Sequence, residues 1–91
     1  MTKQLEGVFA PVVSTFYAET GELDVASFGA NVRAARVARG WTQEDLAHET
    51  GLASVQISRI ERGKREVRLT TLLRLTRALG ISPNEIVKGV L

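Results

Sequence analysis

The most constraining feature of this chain is a pair of helix-forming segments with almost no chain between them. Thr42 to about Thr50 and about Ala53 to Arg62 each show helical periodicity, and little more than Gly51-Leu52 joins them. Two helices joined by so short a link must cross steeply. The crossing needs a small residue on the inner face of the first helix, which Ala47 supplies. It also needs a joint residue that tolerates positive φ, which Gly51 supplies. Leu46, Leu52, Ile57 and Ile60 stand at spacings that turn them inward. Gln43 to Arg62 thus reads as one unit, and the rest of the chain must provide its core.

The flanking sequence supplies more helices. One runs from about Val25 or Phe28 to Ala38, burying Phe28, Val32, Ala35 and Val37, with Gly40 as its stop. Thr42 is a good N-cap for the next, and Glu44 and Asp45 sit in its first turn, where the helix dipole favours acids. A fourth spans about Leu69 to Leu79, burying Leu72, Leu75, Ala78 and Leu79, and stops at Gly80. Ser82-Pro83-Asn84-Glu85 opens a fifth, with a cap, a proline at the first helical position and a capping-box glutamate together. Five short helices with brief loops make an all-α bundle over residues 24–91. Residues 1–23 differ. Val8 to Tyr17 is β-branched and aromatic, Pro11 restricts any strand there to an edge, and Glu19 to Glu22 reads as a turn. These residues form an extended N-terminal arm.

Composition narrows the function. Ninety-one residues allow one compact domain, too small to enclose a large cofactor as well as its own core. The absence of cysteine excludes disulfides, thiolate zinc sites and thiol nucleophiles. His48 is the one histidine and has no companion ligands, so neither metal nor other cofactor is expected. No apolar run reaches the roughly 20 residues of a membrane span. Met1 to Gly7 lacks the features of a secretory signal, which points to the cytoplasm. Charge is uneven. Residues 1–30 carry one lysine against four carboxylates, whereas residues 31–91 carry eleven Arg or Lys against six Asp or Glu. Nine of the twelve basic residues are arginine, the side chain best matched to phosphate and guanine.

At 100° per residue, Ser54, Val55, Ser58, Arg59 and Arg62 share one face of the third helix, with Ala53, Ile57 and Ile60 on the other. An exposed helix face of this kind fits the major groove of DNA.

Residues 28–87 resemble the Cro/C1-type helix-turn-helix family, also called the Xre type. The resemblance rests on Trp41-Thr42-Gln43-Glu44-Asp45-Leu46-Ala47, Gly51-Leu52, Ile57 to Arg65, and Leu72 to Gly80. It implies a lambda-repressor-like five-helix fold in which the third helix reads base edges through Ser54, Val55 and Arg59, with Ser58 alongside. Arg59 would grip guanine in bidentate fashion, and Val55 would pack on a thymine methyl. Thr42, Gln43, Gln56, Arg62, Lys64 and Arg65 are the implied phosphate contacts, with Arg68 beside them. Arg36 and Glu61 match an ion pair that orients the motif. Trp41 is expected to pack as a hydrophobic anchor. Ala53 and Val67 depart from the family, standing where a capping Ser or Thr and a proline are frequent, so the third helix is expected to start on Ser54 or on water.

The arm carries a second resemblance. Gly7 to Phe16 with Gly21 to Asp24 is similar to the first strand and loop of dihydrodipicolinate-synthase-like aldolases. That fold is a barrel of roughly 250 residues, and its Schiff-base lysine lies far downstream of this stretch. The arm could pack on its own bundle, pair with the arm of a second subunit, or await a protein partner; pairing across a homodimer is the expectation. Ile81, Ile86, Val87, Val90 and Leu91 form a second candidate dimer surface, though some of them must serve the core. The function expected is a homodimeric regulator on double-stranded DNA. The same helices would also serve an antitoxin, a restriction–modification controller, or an adaptor that reads no bases. No acid–base or nucleophile pair suggests an enzyme.

Overall fold

A computed structural model of the protein describes residues 23–91. The arm, its pairing and the aldolase-like stretch lie outside the described residues, apart from Leu23 and Asp24. Among the described residues the structure is all-α, with α1 over Val25–Ala38, α2 over Gln43–Thr50, α3 over Ser54–Glu61, α4 over Leu69–Leu79 and α5 over Pro83–Ile86. No strand occurs among them.

Local chemistry sets most boundaries. Thr42 and Asp45 cap α2 reciprocally: the Asp45 N–H donates to Thr42 Oγ1 at 3.0 Å, and the Thr42 N–H donates to Asp45 Oδ2 at 2.8 Å. Ser82 and Glu85 do the same for α5 behind Pro83. The joint between α2 and α3 turns on Gly51, whose φ of 77° needs a residue without Cβ. Thr50, buried beside it, donates its hydroxyl to Leu46 O and accepts the Leu52 N–H, which fixes the exit of the chain.

The core takes Phe28 and Val32 from α1, Leu46 and Ala47 from α2, Ile57 and Ile60 from α3, Leu75 and Leu79 from α4, and Ile86 and Val90 from the C-terminal end. Leu52, Leu72, Ala35 and Ala78 are half-buried against it. Val37 was expected inside but is 55% exposed. The buried stripe of α1 is Phe28, Gly29, Val32 and Arg36, so the helix turns Val37 outward and puts an arginine at the inner position. The C-terminal set divides between core and surface. Ile86 and Val90 are core residues and Ile81 and Val87 are half-buried on it, which leaves Leu91 as the exposed apolar residue of that set.

Two contacts invisible to periodicity lock α1 in place. Asn31 donates its amide to the carbonyls of Ile86 at 2.9 Å and Lys88 at 2.8 Å, and the Asp24 N–H donates to Val90 O at 2.7 Å. Gly29 faces the end of α3 so closely that a Cβ would lie 2.7 Å from Glu61 O, and closer still to Ile60 O. Both obstacles are backbone, which cannot swing aside.

Gly29→Ala should therefore destabilise the fold, although alanine is the better helix former. The overpacking term of about 1–3 kcal/mol exceeds the helical gain, which is about 0.5–1 kcal/mol. Thermal unfolding followed by circular dichroism measures the net loss. A second prediction concerns Asp24, which caps α1 by accepting the Ser27 N–H at 3.0 Å and the Ser27 hydroxyl at 2.8 Å. These bonds hold its carboxyl below the ordinary 3.8. A depressed folded-state pKa stabilises above the unfolded value and is lost as pH falls through the folded one. Asp24→Ala should flatten the acid limb of the stability profile below about pH 4 and leave its slope at neutral pH unchanged.

Candidate nucleic-acid interface

The candidate reading helix, α3, is held from behind and open in front. Ile57 is fully buried and Ile60 is 3% exposed, so α3 cannot roll without breaking the core. Ser54, Val55 and Arg59 point to solvent, with Val55 52% exposed. Ser58 is half-buried at the margin of this face. Arg62 lies one residue beyond the helix as its C-cap, exposed, with Nε 3.4 Å from Ser58 O. Ala53, placed on the inner face by the sequence reading, is instead the exposed N-cap, because α3 is one residue shorter at each end than expected.

The start of α3 answers the question raised by Ala53. Gln56 Oε1 accepts the Ala53 N–H at 2.9 Å, the half of a capping box that alanine leaves available, while no side chain caps the first-turn N–H groups. Gln56 thus has a structural task through its oxygen. Its amide N–H groups, the donors a phosphate requires, have no protein partner among the described residues.

Arg36 and Glu61 form the centre of the scaffold. Arg36 Nε donates to Glu61 Oε2 at 2.6 Å and Nη2 to Glu61 Oε1 at 3.0 Å, a two-pronged pair. Arg36 Nη1 donates to Trp41 O at 2.7 Å. The side chains are 11% and 2% exposed. Hydrogen bonding to Glu61 raises the Arg36 pKa against the opposing effect of burial. Gln43 joins the group by donating Nε2 to Glu61 Oε1 at 3.1 Å. One of the two amide N–H groups that sequence reading assigned to phosphate is therefore used inside the protein. The second, and the first-turn backbone N–H of Gln43, remain as donors at the positive end of α2. Thr42, also a phosphate candidate, donates its backbone N–H to Asp45 and accepts the Asp45 N–H on its hydroxyl oxygen, which leaves the hydroxyl proton as a donor.

Trp41 is half-buried against the core, and the Arg39 guanidinium lies 4.4 Å from its ring centre. Arg39 also donates to Leu79 O at 3.2 Å, tying the end of α1 to the end of α4. The sequence reading gave Arg39 no role. Lys64 and Arg65 are exposed in the loop after α3. Arg65, Arg68 and Arg74 line a cleft of about 400 Å³ with Gln56 and Thr70 at its walls. No cluster of three His, Cys, Asp or Glu suited to a metal occurs among the described residues. No described helix is long and apolar enough to cross a membrane.

Arg36→Ala should strand the buried Glu61 carboxylate, at a cost of about 3–5 kcal/mol. Glu61→Gln should cost less, since the amide still accepts one bond. Urea unfolding of both variants and of Arg36→Met with Glu61→Met measures these costs. The double apolar variant should recover most of the loss from Arg36→Ala.

Comparison with known proteins agrees with this geometry. The helix-turn-helix family model HTH_3 matches residues 32–86. An HTH-type transcriptional regulator of Mycobacterium tuberculosis is 39% identical over 57 residues, which is 63% of this chain and 22% of that relative. The chain thus spans about a fifth of the length of that protein. The crystal structure of the restriction–modification controller C.AhdI from Aeromonas hydrophila superposes with a TM-score of 0.67 at 41% identity, covering 69% of this chain and 96% of that one. The P22 c2 repressor, solved in complex with a synthetic operator, superposes with a TM-score of 0.64 at 35% identity, covering 68% and 94%. With a family match running from α1 to α5, and with the steep α2–α3 joint around Gly51 at its centre, the chain belongs to the HTH_3 helix-turn-helix family.

Proposed function

We propose that the protein is a sequence-specific DNA-binding transcriptional regulator that reads operator DNA through α3 in the major groove. The observation that carries this reading is the division of α3: Ile57 and Ile60 are fixed in the core while Ser54, Val55 and Arg59 stand free on the outer face. Arg59 grips guanine O6 and N7, Val55 packs on a thymine methyl, and Ser54 and Ser58 complete the reading edge. Gln43, Gln56, Arg62, Lys64 and Arg65 hold phosphates and set affinity and salt dependence. The Thr42 hydroxyl oxygen serves the α2 cap, and its proton is the donor offered to a phosphate.

The protein acts as a homodimer on a pseudo-palindromic site, with half-sites about one helical turn apart. Residues 1–23 form its arm and residues 24–91 its DNA-binding domain. Similarity to C.AhdI supports a restriction–modification controller as the particular circuit. The family is one of DNA-binding regulators, and the chain needs no catalytic role or cofactor. A regulator of this kind works in the cytoplasm, on the nucleoid.

Selection from random duplex DNA should enrich a palindromic sequence; failure to enrich any would leave the adaptor reading. On the selected operator, Arg59→Ala should lose about 1–3 kcal/mol of discrimination at one base position per half-site while keeping weak, salt-sensitive binding. Equal losses on operator and random DNA would remove Arg59 from the reading set. Lys64→Ala should weaken binding to all sequences alike and lower the salt slope by about one per copy.

A further inference from the structure

An apolar pocket of about 270 Å³ opens at the junction of α1, the start of α4 and the C-terminus. Leu23, Val25, Leu72, Val87 and Val90 are among its walls, and Glu66 is its one charged lining residue. Leu91 stands at its rim, fully exposed, and Leu23 is 48% exposed. Nothing in the DNA-binding reading uses this pocket, which draws no residue from α3.

We propose that the occupant is the chain's own N-terminal segment, with Phe16 as the side chain that fills the pocket. The chain enters the described bundle at Leu23, itself a pocket wall, so the 22 residues before it start at the rim. Phe16 and Leu23 are seven positions apart, a span of up to roughly 23–25 Å when extended. Phe16 is thus within reach with length to spare for a reversal at Glu19-Thr20-Gly21-Glu22, whose composition favours one. From Val8 to Tyr17 the sequence has ten residues without a charge. Two largely apolar surfaces tethered together gain by burying each other.

Charge points the same way. Residues 1–22 carry Glu6, Glu19 and Glu22 against Lys3, whereas the loop that supplies Glu66 and Val67 to the pocket carries Arg62, Lys64, Arg65 and Arg68. Glu19 and Glu22 lie between Phe16 and Leu23, the part of the segment that must stay beside the bundle. A short tether gives an effective concentration in the millimolar range. At micromolar protein the segment therefore outcompetes the same segment of a second copy. Docking in cis closes this pocket to a dimer partner and leaves Val37, Leu69 and Leu73 as the exposed apolar residues outside the reading face.

The natural chain has no cysteine, which makes disulfide trapping clean. With Phe16 kept, full-length Thr15→Cys/Leu91→Cys should oxidise at micromolar concentration to a cross-linked monomer, at least about tenfold faster than Thr15→Cys/Val37→Cys. Leu91 and Val37 are both exposed, so neither substitution disturbs the core. Covalent dimers as the main product would place the segment on a second copy and overturn the proposal. Equal rates for the two pairs would show no preferred seat and overturn it as well. In the cysteine-free chain, Phe16→Asp should increase binding of an apolar fluorescent dye while Phe16→Leu does not. An unchanged signal in folded Phe16→Asp would also count against it.

Discussion

The two-pronged bond between Arg36 and Glu61 is the constraint on which the rest of this structure depends. An arginine occupies a core position of α1, one turn on from Val32, where an aliphatic residue would satisfy periodicity better. A buried charge is tolerable only when it is paired and hydrogen-bonded. Here Nε and Nη2 meet the carboxylate and Nη1 meets the Trp41 carbonyl. The carboxylate in turn receives Gln43. Four parts of the chain are thereby fixed to each other: α1, the strap through Trp41, the start of α2 and the end of α3. An apolar pair of equal volume could match this in stability. It could not set the direction in which α3 leaves the bundle, because dispersion contacts are not directional.

The bond also requires α1 to lie close along the end of α3, and Gly29 provides that approach. Gly29 and Arg36 are seven residues apart, two helical turns on one face. The first admits the Ile60 and Glu61 carbonyls where any side chain would clash, and the second reaches the Glu61 carboxylate. Glycine in a helix interior is destabilising by roughly 0.5–1 kcal/mol relative to alanine, so this position is set by packing against local propensity. Asn31 and Arg39, on other faces of α1, tie the same helix to the C-terminal carbonyls and to the end of α4. Helix α1 is thus the frame against which α3 is aimed, although it contributes none of the proposed readers.

What could be read from the sequence was whatever is written locally. Thr42 with Asp45, Ser82-Pro83 with Glu85, and Gly51 at the joint each declare a boundary within four residues, and the structure has all three. The outward face of α3 follows from periodicity once Ile57 and Ile60 are assigned to the core. The misses are tertiary. Val37 was taken for core because it is aliphatic, when an ion pair to a residue 25 positions away had given that place to Arg36. Gln56 and Gln43 looked like free amides, yet each had a partner on its own chain. Gly29 and Asn31 left no signal, because what defines them is the backbone of another segment.

The length of α3 bears on how such a protein can be specific at all. Eight residues rise about 12 Å, with room for three or four side chains at base edges. Of the proposed readers only Arg59 can make a bidentate pair, which is worth about 1–3 kcal/mol of discrimination. Regulators separate operator from bulk DNA by about 4–10 kcal/mol. One copy of α3 therefore falls short, and the shortfall is of the size that a second copy on a related half-site would supply. The rigid mounting of α3 then has a physical purpose beyond the single fold. Two reading helices can add their discrimination only if each is held at a fixed angle while the other binds, and the Arg36–Glu61 bond with the Gly29 approach fixes that angle within each copy.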